Sequence, residues 1–310
     1  MRELVILSGK GGTGKTSITA AFASLAENMI LCDADVDAAD LHLILEPDFK
    51  ESSDFIGGNE AIINPEKCTQ CGRCIEVCRF DAVSFNDVSF NDVRDTFEVD
   101  LIECEGCGVC VDLCPEQAID FPETICGQWY ISNTRFGPMV HARLGIAQEN
   151  SGKLVSLVRQ EARKIAKKNN LDLILTDGPP GIGCPVIASI GQATAILIIA
   201  EPTVSGIHDM ERVGQLARHF NIPAMVCINK YDLNLDQTEK IEALAKKDHI
   251  AVVGKISFDK IFTEAMIQAK TIFEYNKTSQ TSVEVRRVWD NILSLPQFNN
   301  PVTNNIMQHL

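Results

Sequence analysis

Two groups of residues in this chain have the types and spacing to do chemistry. Gly9-Lys10-Gly11-Gly12-Thr13-Gly14-Lys15-Thr16 fits the pattern G-x-x-x-x-G-K-[ST]. In that pattern the glycines let backbone N–H groups converge on phosphate oxygens, and Lys15 reaches the β- and γ-phosphates. The Thr16 hydroxyl becomes a Mg²⁺ ligand, and Ser17 adjoins the same phosphates. The second group is cysteine. Cys68, Cys71, Cys74 and Cys78 are spaced C-x₂-C-x₂-C-x₃-C, and Cys104, Cys107, Cys110 and Cys114 repeat that spacing before Pro115. Three thiolates at successive x₂ spacings wrap one face of a [4Fe-4S] cube, whereas structural zinc sites separate two C-x₂-C pairs by a longer loop. In such paired runs the fourth cysteine of each ligates the other cluster. The expected sets are therefore Cys68, Cys71 and Cys74 with Cys114, and Cys104, Cys107 and Cys110 with Cys78. Arg79 stands where the first run would often carry proline.

The elements that must position these groups can be read from hydrophobic pattern. Glu3 to Leu7 predicts a strand, Thr16 to Glu27 a helix, and Met29 to Cys32 a second strand running into Asp33, Asp35 and Asp37. Leu171 to Leu175, Ala195 to Ala200, Ala224 to Ile228 and Ala251 to Ile256 are short runs of Ile, Leu, Val and Ala, the pattern of buried parallel strands. Between them, Gly152 to Asn169 places Leu154, Val158, Ala162 and Ile165 on one helical face. This alternation predicts a doubly wound, mostly parallel α/β sheet of the P-loop NTPase kind, with ligands at the carboxyl ends of its strands. From about Asn64 to Phe121 the pattern changes to cysteine clusters and short alternating runs, which predicts an inserted α+β module. The expected boundaries are 1–62 for the first part of the nucleotide domain, 63–122 for the insertion and 123–310 for the second part.

Within the insertion the pentad VSFND occurs twice in tandem, at 83–87 and 88–92. Five is odd, so the repeat does not keep a strand's period of two in phase, and a lengthened hairpin is expected. Ser282 to Leu295 places Val285, Val288, Trp289 and Ile292 on one face of a helix that should dock on the core. The Asn-rich end from Asn299 reads as a tail. A formal charge of −14 argues against a nucleic-acid partner. No apolar run approaches the roughly 20 residues that span a bilayer, and no signal peptide is evident, so a cytoplasmic protein without membrane attachment is expected. Twelve cysteines in such a chain read as metal ligands before disulfides.

The position of Lys10 resembles the signature lysine of the deviant Walker A class, which includes the MinD/ParA ATPases and the nitrogenase iron protein. The resemblance implies a homodimer on ATP binding, in which Lys10 reaches across a nucleotide sandwich to the partner's phosphates. Asp33-Ala34-Asp35 resembles the class's second acidic motif, and Asp177 in Leu175 to Gly181 resembles its Walker B and switch II. By that match Asp35 orients the attacking water and Asp177 binds Mg²⁺. Asp37 and Asp40 read as helix N-terminal or solvated acids. Asn229-Lys230-Tyr231-Asp232 looks like the guanine-reading N-K-x-D motif, but an Asn here contacts adenine in deviant Walker ATPases. ATP is therefore expected over GTP.

Four cysteines remain. Cys32 and Cys227 lie in apolar strands, and Cys126 has no evident role. Cys184 follows Asp177 at an offset similar to that of a cluster-ligating cysteine in the nitrogenase iron protein, without a matching cysteine near Gly152. The chain as a whole resembles MinD-superfamily P-loop ATPases with an inserted two-cluster ferredoxin domain, and is similar to Mrp-type ATPases. The implied function is a nucleoside triphosphatase that couples Mg-ATP hydrolysis to two [4Fe-4S] clusters, in electron transfer or metallocofactor maturation with a redox or metalloenzyme partner. The alternatives are an ATPase that carries iron-sulfur clusters and a spatial organiser like MinD or ParA.

Overall fold

The structure is a computed structural model and describes residues 1–86, 96–145 and 150–299. It divides into unit 1, residues 1–52, 129–143 and 151–310, and unit 2, residues 53–128 and 144–150. The chain begins with β1 (Arg2–Ser8), α1 (Lys15–Ala23), β2 (Met29–Asp33), α2 (Leu41–Leu45) and β3 (Asp48–Asn59). Next come β4 (Ile62–Ile63), α3 (Arg73–Val77), β5 (Val83–Asn86), β6 (Thr96–Val99), α4 (Val109–Asp112) and β7 (Ile119–Asp120). β8 (Glu123–Thr134) and β9 (Gly137–Leu144) precede α5 (Ser151–Lys168), β10 (Leu173–Pro180), α6 (Cys184–Ile190) and β11 (Ala195–Ala200). Then α7 (Val204–His219), β12 (Ala224–Asn229), α8 (Leu235–Lys247) and β13 (Ala251–Ile256) complete the alternation. α9 (Ile261–Ile267), α10 (Ile272–Asn276), α11 (Gln280–Ser294) and α12 (Pro296–Asn299) close the described chain.

The main sheet has the order β13-β12-β11-β1-β10-β2-β9-β8-β3. β1 pairs in parallel with both β10 and β11, and the pairs β10–β2, β11–β12, β12–β13 and β2–β9 are also parallel. The consecutive strands β10 and β11 thus lie on opposite sides of β1. This order opens a crevice at the carboxyl end of β1, where the Gly9–Thr16 loop begins.

Strand periodicity explains why β1 is entirely apolar between Leu4 and Leu7. Leu4 and Ile6 join one core layer with Phe22, Leu41 and Trp289, while Val5 and Leu7 join the other with Val186, Met210 and Ile241. Each such side chain, removed from water, contributes about 1.5–3 kcal/mol. Val285, Val288, Trp289 and Ile292 of α11 are buried as their spacing predicts, and Phe22 and Trp289 approach to 5.0 Å between ring centroids.

Several boundaries differ from the sequence pattern. α1 ends at Ala23 and not at Glu27, because the chain turns at Ser24, whose hydroxyl bonds back to the Ala21 carbonyl. β10 starts at Leu173, two residues late, and runs on to Pro180. The long strands β3 and β8 are absent from the pattern, since most of their positions are exposed or half-buried.

In unit 2, β4 pairs with β7 and β5 with β6, each antiparallel. The first four residues of the first VSFND pentad form β5, and the second pentad lies outside the described residues. The two cysteine runs have the same local backbone. Gln70 and Gly106, each directly before a second cysteine, both have φ 58°, and Gly72 and Gly108 precede α3 and α4 at φ 75° and 74°. Gly106 cannot be replaced, since a Cβ there would stand 2.3 Å from the Asn59 carbonyl oxygen.

The buried His141 of β9 lies 2.9 Å, through Nε2, from Ser132 Oγ of β8, and its ring meets those of His42, Phe49 and Tyr130. Burial, and secondarily the neighbouring His42, lowers its pKa from 6.5 to about 4. The unfolded chain therefore takes up this proton first as pH falls. The stability that the neutral ring contributes is complete above pH 6.5 and is lost towards pH 4. At about 1.4 kcal/mol per pH unit the loss is about 3 kcal/mol. His141→Gln should flatten that part of the stability profile in urea titrations across the window. Equal slopes for the two proteins would count against the assignment.

Candidate functional site

The Gly9–Thr16 loop leaves β1 and enters α1, so the first-turn N–H groups of this helix face the loop. Positive φ angles at Gly12 (78°) and Gly14 (87°) turn the backbone. A Cβ at Gly9 would lie 2.0 Å from Asp209 Cβ, which shows how closely the loop rests on α7. A Cβ at Gly14 would meet the Asn229 amide at 2.7 Å.

Lys15 Nζ is buried between two carboxylates, 3.1 Å from Asp35 Oδ2 and 3.2 Å from Asp177 Oδ1. Asp177 is fully buried and accepts two more hydrogen bonds, from Thr16 Oγ1 at 2.7 Å and Thr19 Oγ1 at 3.0 Å. Burial disfavours the charge of Lys15, but Asp177, Asp35 and Asp33 outweigh it and hold the pKa above the usual value. Burial pushes both Asp33 and Asp35 up, and Lys15 opposes the shift in each. Asp33 does not face the lysine by hydrogen bond. Its carboxylate accepts the backbone N–H groups of Asp35 and Leu41, and so shapes the loop that presents Asp35.

Lys10 also has an acidic partner, since its Nζ lies 3.1 Å from Glu201 Oε2. The other oxygen of Glu201 takes Lys230 Nζ, which also donates to the Gly12 carbonyl at 3.2 Å. Burial opposes ionisation of Glu201, and the two lysines prevail and lower its pKa. Asn229 Nδ2 donates to the Thr13 carbonyl at 2.8 Å, so this carboxamide supports the loop from below. The Thr13 hydroxyl is buried and is the one such side-chain atom without a partner among the described residues.

The structure therefore brings together Lys10, Thr13, Lys15, Thr16, Asp35, Asp177 and Asn229, and adds four residues to which the sequence assigned no role in the site. Thr19 lies one turn beyond Lys15, which a helical projection would have revealed. Asp33 was visible as an acid without a role. Glu201 and Lys230 come from two other strand ends, and although Lys230 stood within the Asn229–Asp232 motif, no pattern indicated that either would meet the loop.

In unit 2, Cys68, Cys71, Cys74 and Cys114 line one recess of about 340 Å³, and Cys78, Cys104, Cys107 and Cys110 line another of about 370 Å³. Each recess takes three cysteines from one run and the fourth from the other. All twelve cysteines are free. Among the described residues no three His, Cys, Asp or Glu side chains converge on a single ion. Elsewhere, Cys32 and Cys227 are buried in β2 and β12, and burial raises both thiols, Cys227 to about 12. Cys126 is buried against Gly57, and Cys184 is exposed at the start of α6 beside Gly152.

The profile of the CobQ/CobB/MinD/ParA nucleotide binding domain matches residues 4–272. The chain belongs to that family. It is 34% identical over 235 residues to the uncharacterized protein MJ0578 of Methanocaldococcus jannaschii, a match covering 75% of this chain and 79% of the relative. The fold is similar to the septum site-determining protein MinD of Pyrococcus horikoshii complexed with Mg-ADP. That comparison has a TM-score of 0.56 and 17% identity, and covers 94% of this chain and 95% of the other. It is also similar to MinD in the MinC:MinD complex of Aquifex aeolicus, with a TM-score of 0.54 and 18% identity, over 96% and 98% of the two chains. Both likenesses concern the mostly parallel α/β P-loop NTPase fold. Among the described residues no helix is long and apolar enough to cross a membrane.

A P-loop that binds nucleotide with this geometry would depend on Lys15 to meet the phosphate charge. Lys15→Ala should weaken nucleotide binding at least about 100-fold, since two or more charge-assisted hydrogen bonds are lost. Calorimetric titration measures this, and unchanged affinity would remove Lys15 from the site.

Proposed function

We propose that this MinD/ParA-type fold is a Mg-ATP-dependent dimeric switch whose cysteine-rich unit 2 holds two [4Fe-4S] clusters, acting in electron transfer or metallocofactor maturation with a redox or metalloenzyme partner. The observation that carries this reading is the pair of recesses, each lined by four cysteines drawn three and one from two runs of identical spacing. Eight thiolates so arranged fit two cubanes. When bound, such clusters supply one-electron transfer at potentials that hydrogen bonds and exposure tune.

On the nucleotide side, the orphaned Thr13 hydroxyl and the glycine turns fit a phosphate chain. Thr16 and Asp177 fit Mg²⁺, which takes few protein ligands and keeps waters and phosphate oxygens for the rest. Lys15 would turn from the two aspartates towards the β- and γ-phosphates. Asp35, released from the lysine, would then orient the attacking water, and positioning with charge neutralisation suffices for this chemistry. Asn229, which resembles the adenine-contacting Asn of deviant Walker ATPases, supports ATP over GTP. Lys10 reaching a second copy's phosphates would close the dimer.

Anaerobically purified protein should carry about eight iron and eight acid-labile sulfides per chain; stoichiometric zinc with little sulfide would overturn the cluster assignment. Asp35→Ala should bind Mg-ATP, fail to hydrolyse it and accumulate as a dimer in size-exclusion chromatography. Wild-type turnover in this variant would exclude Asp35 from water positioning. For coupling, a non-hydrolysable ATP analogue with Mg²⁺ should shift the cluster potential in voltammetry, and Lys10→Ala should abolish the shift while leaving monomer nucleotide binding intact. Linkage demands that cluster reduction change nucleotide affinity by the same free energy. Potentials that ignore nucleotide would leave two independent functions on one chain.

A further inference from the structure

The net charge of −14 is not spread over the chain. Unit 2 holds 17 of the 42 acidic residues and 4 of the 28 basic ones, a net −13, which leaves −1 for all the rest. Charge segregated this strongly creates a field that selects and steers an oppositely charged macromolecule. The loop that leads from β6 into the second cysteine run gives this field a focus. In Asp100-Leu101-Ile102-Glu103-Cys104, Leu101 is 53% and Ile102 73% exposed, and exposed Asp100 and Glu103 flank them. Asp100 Oδ1 accepts the Ile102 N–H at 2.8 Å, which fixes the turn that presents both aliphatic side chains.

An exposed aliphatic pair inside an acidic rim has the anatomy of a protein interface, with an apolar centre and a polar edge. The equivalent approach to the first run, Asn64-Pro65-Glu66-Lys67-Cys68, has no large aliphatic residue and carries one charge of each sign. The two recesses are therefore not equivalent towards a partner.

We infer that the Asp100–Glu103 loop is the docking site for a basic redox protein, and that this partner exchanges electrons through the recess of Cys78, Cys104, Cys107 and Cys110. The inference rests on the cluster reading above for its redox content, while the docking surface stands on charge and exposure alone. With the clusters first reduced by dithionite and the excess reductant removed, the exchange would balance as one electron passing from a reduced cluster, which is oxidised, to the partner's oxidised centre, which is reduced.

The test uses the full chain with ferricytochrome c as a basic redox probe, reading both binding by anaerobic titration calorimetry and the reduction rate by stopped flow, each across a salt series. Asp100→Asn with Glu103→Gln should weaken binding several-fold and reduce the salt slope, the asparagine keeping the acceptor for Ile102. Leu101→Ser with Ile102→Ser should weaken binding with the salt slope intact. A control pair beside the first recess, Glu66→Gln with Glu116→Gln, removes the same charge and should change binding less than twofold. Control and test pairs with equal effects would mean that unit 2 attracts the probe by total charge only, and the docking site would be wrong. Iron and sulfide analysis on every variant separates the two readings. Absent clusters with loop-dependent binding would overturn the redox assignment alone, whereas full clusters with loop-independent binding would overturn the docking site alone.

Discussion

The nucleotide domain is organised around one buried cation. Lys15 stays charged inside the protein because Asp35 and Asp177 stand within 3.2 Å of it, and removing both partners would leave a buried charge without a hydrogen-bonded counter-charge, at a cost of several kcal/mol. Those carboxylates come from the carboxyl ends of β2 and β10, so the ion triplet fixes three chain segments to one another. Thr16 and Thr19 add further donors to Asp177 from the same face of α1. The sheet order follows the same need, because β10 lies between β1 and β2 and so brings loop, Asp35 and Asp177 to one edge.

What could be read from sequence was whatever chemistry demands of neighbouring residues. The glycines and lysine of the Gly9–Thr16 loop lie in one short run, and each cysteine recess takes three thiols from within seven residues, so both groupings were legible. The buried strands were legible because water exclusion leaves them uniformly apolar, as in Ala195 to Ala200. β3 was not, since seven of its first eight residues face outward or lie at an edge and read as polar coil. Glu201 and Lys230 were illegible for a different reason. Their role is a meeting of two strand ends with a loop some 200 residues away in sequence, and no local pattern encodes it. Asp33 illustrates a third case, an acid whose spacing suggests chemistry but whose hydrogen bonds serve the backbone.

Unit 2 follows another economy. Its helices are one turn long and contain no buried residue, and the sheets that lie wholly within it, β4–β7 and β5–β6, have two strands each. Left-handed glycines before α3 and α4 set the direction of each cysteine run in place of a large core. An apolar interior this small supplies little stability, and groups that bind the thiols would supply the remainder by mass action.

The carboxylate of Glu201 serves two lysines at once, one oxygen for each. If Lys10 swings away, Glu201 is not stranded, because Lys230 remains on its other oxygen and is itself tethered to the Gly12 carbonyl. The arrangement resembles a berth with a second mooring: were Lys10 to leave, Lys230 would still hold the acid and favour its charged form, so Glu201 would keep a partner throughout.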